Sequence, residues 1–152
     1  MATLLFKDLS ESGLCALASR IAASLEPGDF LAFYGDLGAG KTTFIRSLAA
    51  ALDVKNISSP TFTIVQEHAG RFPFFHFDAY RLSDADELYA IGFDDYLRRR
   101  GIIAMEWCEN VADALPSDRL DIHISGSGMD AREICFTAFS PHYCKILEAL
   151  QA

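Results

Sequence analysis

Apolar residues recur at Leu14, Leu17, Ala18, Ile21 and Leu25, a spacing that lays one stripe along a helix. Ser10 stands just ahead as a cap, so a helix is predicted over 10–25. Pro27-Gly28-Asp29 turns the chain into Phe30 to Tyr34, a short apolar run of the kind that forms a buried strand. A second helical stripe, Phe44, Ile45 and Leu48, predicts a helix from Lys41 to Leu52. Ser58 to Pro60 breaks the chain. Strands follow at 62–67 and 74–78, joined by the turn Gly70-Arg71. A helix is predicted over 83–96, broken at Gly92, and then Ile102 to Met105 forms a strand that closes on Glu106. Pro116 closes an irregular patch. Alternating strands at 120–125 and 132–138 flank Gly126-Ser127-Gly128, and a terminal helix covers 141–150. Helices and strands alternate early, and strands dominate late. That order predicts an α/β fold with a mostly parallel central sheet and antiparallel edge strands, in a single domain over 1–152.

Between the first apolar strand and the second helix runs Gly35-Asp36-Leu37-Gly38-Ala39-Gly40-Lys41-Thr42-Thr43. It fits G-x-x-x-x-G-K-[ST] in the strand-to-helix setting that a phosphate-binding loop needs, so the fold is expected to be P-loop NTPase-like. Glycine at 35, 38 and 40 lets successive backbone N–H groups aim into an anion-sized nest. The helix N-terminus adds partial positive charge, Lys41 can reach the outer phosphates, and the Thr42 hydroxyl can ligate Mg²⁺.

The guanine-reading N-K-x-D and the D-x-x-G of small GTPases are both absent from the sequence, which favours ATP. A magnesium site beside such a loop also needs an acid at the end of a buried strand. Glu106 closes the cleaner apolar run, whereas Asp78 closes Phe74 to Phe77 and is the commoner acid. The pattern leaves the two unranked.

Charge narrows the partners. Thirteen basic against 21 acidic residues give a net charge of −8, which argues against a broad face for DNA or RNA. The one dense basic run, Arg98-Arg99-Arg100, reads as a solvated helix end. Four cysteines without metal-binding spacing, no secretory leader and no apolar run of about 20 residues point to a soluble, cytoplasmic protein with reduced thiols and no membrane contact.

Taken in order, the loop, Ser59-Pro60-Thr61-Phe62-Thr63, His76-Phe77-Asp78-Ala79-Tyr80-Arg81-Leu82 and Glu106-Trp107 resemble the TsaE (YjeE) family. The resemblance runs from about residue 5 to residue 138 and departs at Cys108, where the family often has proline. It implies an ATPase of tRNA threonylcarbamoyladenosine (t6A) synthesis that works with TsaB and TsaD and meets tRNA indirectly, through that complex. There TsaD modifies adenosine 37, and TsaE hydrolyses ATP to reset the assembly. By position, the resemblance makes Asp36 through Thr43 the nucleotide-binding loop and Thr42 and Glu106 the Mg²⁺ ligands. It makes Asp78 the residue that orients water or senses the γ-phosphate, with Lys41, Asp78 and Glu106 as the catalytic set. Trp107 and Arg132 fall near the nucleotide, and Ser59-Pro60-Thr61 forms a switch-like segment. Activity is expected to be weak alone and stimulated in the complex, with Arg81 and the Arg98–Arg100 run as candidates for partner contact or charge stabilisation. Two alternatives use the same loop: a small-molecule kinase, and a nucleotide-sensing module without hydrolysis.

Overall fold

In the computed structural model, which describes residues 1–36, 38–55, 57, 63–126 and 131–151, one seven-stranded sheet runs through the chain. The elements are β1 Ala2–Leu9, α1 Glu11–Ala22, β2 Phe30–Tyr34, α2 Lys41–Ala51, β3 Val65–Ala69 and β4 Pro73–Asp78. Then come α3 Ala85–Ala90, α4 Phe93–Arg98, β5 Ile102–Glu106, a 3-10 helix Cys108–Ala114, β6 Leu120–Ser125, β7 Arg132–Ala138 and α5 Pro141–Gln151.

Strand order is β1-β7-β6-β2-β5-β4-β3. The central β6, β2, β5 and β4 pair in parallel, whereas β7 and β1 at one edge and β3 at the other pair antiparallel. The mixed sheet expected from the sequence is the one observed. Parallel strands must be covered on both faces, and β2 shows why its run lacks polar residues. Leu31 and Phe33 face one core with α1, α2 and α5, while Phe30 and Ala32 face a second core with α3, α4 and the 3-10 helix.

Local chemistry sets the element ends. The Ser10 hydroxyl accepts from Gly13 N at 3.1 Å and starts α1, a cap that contributes about 1 kcal/mol. Gly92, at φ 88°, separates α3 from α4. The Tyr143 hydroxyl of α5 accepts from Phe30 N at 2.9 Å, fixing where β2 begins.

Four elements differ from expectation, among them β3, which runs Val65–Ala69 where a strand over 62–67 is expected. β1 was not foreseen: Leu4 and Phe6 pack inward, but outward-facing Leu5 is 47% exposed and hides the alternation. The 3-10 helix after Trp107 is too short and irregular to leave a periodic signature. α1 stops at Ala22 rather than continuing to residue 25. The predicted turn at Ser127-Gly128, the break at Ser58 to Pro60 and the predicted strand start at Phe62 lie outside the described residues. Among the described residues no helix is long and apolar enough to cross a membrane.

Candidate functional site

Parallel pairing puts the ends of β2, β4 and β5 on one edge of the sheet, where α/β folds place their crevices. Register brings Glu106 opposite both Phe33 of β2 and Asp78 of β4. The glycine loop leaves β2 at this edge and returns as α2. Gly35, Gly38 and Gly40 adopt φ of 145°, 80° and 113°, conformations that a side chain would strain. Gly40 occupies the cap position of α2 and supplies no side-chain cap, so the first amides of that helix remain available to an anion.

An open cleft of about 230 Å³ lies here, lined by Gly38, Gly40, Lys41, Thr42, Thr43, Asp78, Glu106, Trp107 and Arg132. Nine of the sequence-predicted site residues therefore meet in one place. Two others, Ala39 and Asp36, do not line it. Ala39 turns its methyl into the core and can offer only its backbone. The exposed Asp36 lines a neighbouring cleft with Tyr34 and His123. Leu37, like Ser59-Pro60-Thr61, lies outside the described residues.

Within the cleft the groups are tightly coupled. Thr42 Oγ1 donates to Glu106 Oε1 at 3.3 Å, and the other oxygen of that carboxylate lies 2.7 Å from His76 Nε2. Lys41, only 4% exposed, donates to the Gly35 carbonyl and lies over the Trp107 ring, 3.7 Å from its centroid. Burial pushes the Lys41 ammonium below its usual value, opposed by the negative charges of Glu106, Glu109, Asp78 and Asp36. Burial likewise raises the Asp78 carboxyl, with Glu106 adding to the rise and the Tyr80 N–H opposing it. That N–H reaches Asp78 Oδ1 at 2.9 Å, and the Tyr80 ring lies 4.9 Å from that of Trp107. An Arg132 N–H donates to the Gly38 carbonyl at 3.3 Å, tying β7 to the loop.

The arrangement combines amide donors, a buried cation, two hydroxyls and a pair of strand-end acids, the equipment for gripping a polyphosphate and a hard cation. The Arg98–Arg100 run lies elsewhere. It precedes β5, at the opposite end of the strand from Glu106, and its guanidinium groups engage Asp95, Glu67 and the Pro27 carbonyl. This removes it as a source of charge stabilisation in the cleft. The residue that sequence reasoning left without a role is His76, because its contact with Glu106 crosses between strands and depends on their register.

Comparison with known proteins follows the same lines. A family model described as "Threonylcarbamoyl adenosine biosynthesis protein TsaE" matches residues 9–134. The chain is 43% identical over 137 residues to the Bacillus subtilis "tRNA threonylcarbamoyladenosine biosynthesis protein TsaE", covering 89% of this chain and 85% of that one. It is 36% identical over 118 residues to the Rickettsia conorii protein of the same name, covering 76% and 67%. The crystal structure of YdiB from Bacillus subtilis superposes with a TM-score of 0.84 at 36% identity, over 99% of this chain and 95% of that one.

Proposed function

The chain belongs to the TsaE family, and on that premise we propose that it binds and hydrolyses ATP as a component of tRNA N6-threonylcarbamoyladenosine synthesis. It acts in the cytoplasm with TsaB and TsaD, resets their complex after modification, and reaches tRNA only through that complex. The observation that supports this reading best is the convergence of the glycine loop, Lys41, Thr42, Asp78 and Glu106 on one cleft.

The Thr42–Glu106 oxygen pair, 3.3 Å apart, fits magnesium, a hard cation that takes oxygen ligands. When bound, the ion would neutralise charge on the phosphate oxygens. The protein's own groups do the rest. Amides of the loop and of the α2 start bind the phosphates. Lys41 leaves the Trp107 face and the Gly35 carbonyl to meet the outer phosphates. Asp78, at the end of β4, orients the attacking water, and Trp107 and Arg132 wall the nucleotide. Phosphoryl transfer is mostly a matter of positioning and charge stabilisation, and withholding one cationic group costs about 10³–10⁵ in rate. Slow hydrolysis by the isolated chain and stimulation by its partners follow from this.

The test is phosphate release measured with and without purified TsaB–TsaD, for the wild type and for Lys41→Ala, Asp78→Ala and Glu106→Ala. The reading expects slow turnover alone, stimulation by the complex, and loss of that stimulation in each variant. Transfer of phosphate to a small molecule would establish a kinase instead. An Asp78→Ala chain that still sustains t6A formation in cells while Lys41→Ala does not would establish nucleotide sensing without hydrolysis.

A further inference from the structure

His76 is completely buried, although an imidazole in a core must find partners for its nitrogens. Its flanking residues Phe75 and Phe77 are apolar, as a buried central strand requires. His76 itself sits between Gln66 of β3 and Ala104 of β5. Its Nδ1 has no hydrogen-bond partner among the described residues, whereas Nε2 lies 2.7 Å from Glu106 Oε2. A leucine here would avoid the burial cost, so the polar character of His76 is directed at one carboxylate oxygen.

The two acids at this sheet edge are held differently. Asp78 is fixed by its own chain, through the Tyr80 N–H. Glu106 is one methylene longer, and the terminal torsion of such a side chain is broad. The positive charge of Lys41 also acts on it and can draw the carboxylate aside. With His76 holding Oε2, the other oxygen is left facing Thr42.

We propose that His76 is a positioning residue for Glu106, holding Oε2 through its Nε2–H so that Oε1 and the Thr42 hydroxyl stay matched to a divalent cation. The proposal rests on the reading of Thr42 and Glu106 as magnesium ligands. Outer partners of metal ligands typically change metal affinity by about 10- to 100-fold.

The experiment is calorimetric binding of a non-hydrolysable ATP analogue in saturating Mg²⁺ and in EDTA, for the wild type, His76→Leu and His76→Gln. The ratio of the two affinities isolates the cation's contribution. For His76→Leu the EDTA affinity is expected to stay within about threefold of wild type, while the magnesium gain shrinks about tenfold or more. His76→Gln, which restores an N–H donor, recovers most of that gain. In a Glu106→Gln background, His76→Leu changes nothing further. A His76→Leu chain with the full wild-type gain overturns the proposal. A wild type that shows no magnesium gain overturns the underlying reading of the ligands instead. If His76→Leu does not fold, the ring ¹⁵N spectrum of the wild type decides. The His76 Nε2–H resonance must shift when Mg²⁺ joins the analogue-loaded protein, and an unmoved resonance overturns the proposal.

Discussion

A methyl group added at Gly35 tests whether the loop is held by the sheet. A Cβ built there would lie 2.3 Å from the Ile124 carbonyl oxygen of β6, and the residue's φ is 145°. Both atoms belong to the backbone or are bonded directly to it, so no side-chain rotation relieves the contact. They must separate by roughly 0.7 Å to reach the 3.0 Å below which Cβ contacts are essentially never found. Backbone strain of about 1–3 kcal/mol and overpacking of similar size give a destabilisation of about 2–6 kcal/mol. For a chain of this length that lowers Tm by roughly 4–24 °C. Gly38→Ala is the control: its φ is 80°, but no atom of the described residues lies within 4 Å of the added Cβ. It should cost about 1–2 kcal/mol. The assay is thermal unfolding of both variants beside ATP binding by calorimetry. Gly35→Ala should lose both stability and binding, and Gly38→Ala should lose much less stability. A Gly35→Ala chain that melts with the wild type and binds ATP normally would refute the claim that β6 shapes the loop.

Three further outcomes are expected. Trp107 is the chain's one tryptophan and carries Lys41 over its ring, so ATP should change indole emission. Lys41→Ala should weaken the binding read by that signal about 10- to 100-fold, and an unchanged titration would count against Lys41 as a phosphate ligand. Asp78→Asn should keep nucleotide affinity and lower hydrolysis by about 10²–10⁴, as measured by phosphate release. Away from the cleft, Asp29 is buried, accepts from Glu26 N, and lies 2.8 Å from His142 Nε2. Its carboxyl is raised above the usual 3.8, chiefly by burial. From pH 3.8 up to its folded-state value the folded chain therefore holds a proton that the unfolded chain has released. This group's contribution is present at low pH and lost as pH rises through that window. Urea unfolding at stepped pH should show wild-type stability falling relative to Asp29→Asn across it, and a rise would be contrary to the burial argument.

Much of this was visible in the chain itself, for physical reasons. β2, β4 and β5 are apolar runs bounded by glycine, proline or an acid, because parallel strands buried on both faces admit little else. Gly35 to Thr42 could be recognised because the loop needs those residue types at those intervals. Pairing register is less accessible. That Asp78 stands opposite Glu106, 28 residues on, and that His76 reaches across to the same carboxylate, depends on the pairing of distant strands. Asp36 belongs by sequence to the loop, yet it lines a neighbouring cleft with Tyr34 and His123, two residues that only strand pairing brings together. β1 escaped notice because an outward Leu5 between Leu4 and Phe6 erases the two-residue period.

The function proposed for this cleft requires it to grip a magnesium-bound adenosine triphosphate. The decisive measurement is calorimetric titration of ATP with Mg²⁺ into the wild-type chain, repeated with Lys41→Ala and with GTP. One saturable site is predicted, weakened by removal of Lys41 and selective for adenine. No heat of binding in the wild type, or equal binding after loss of Lys41, would contradict it.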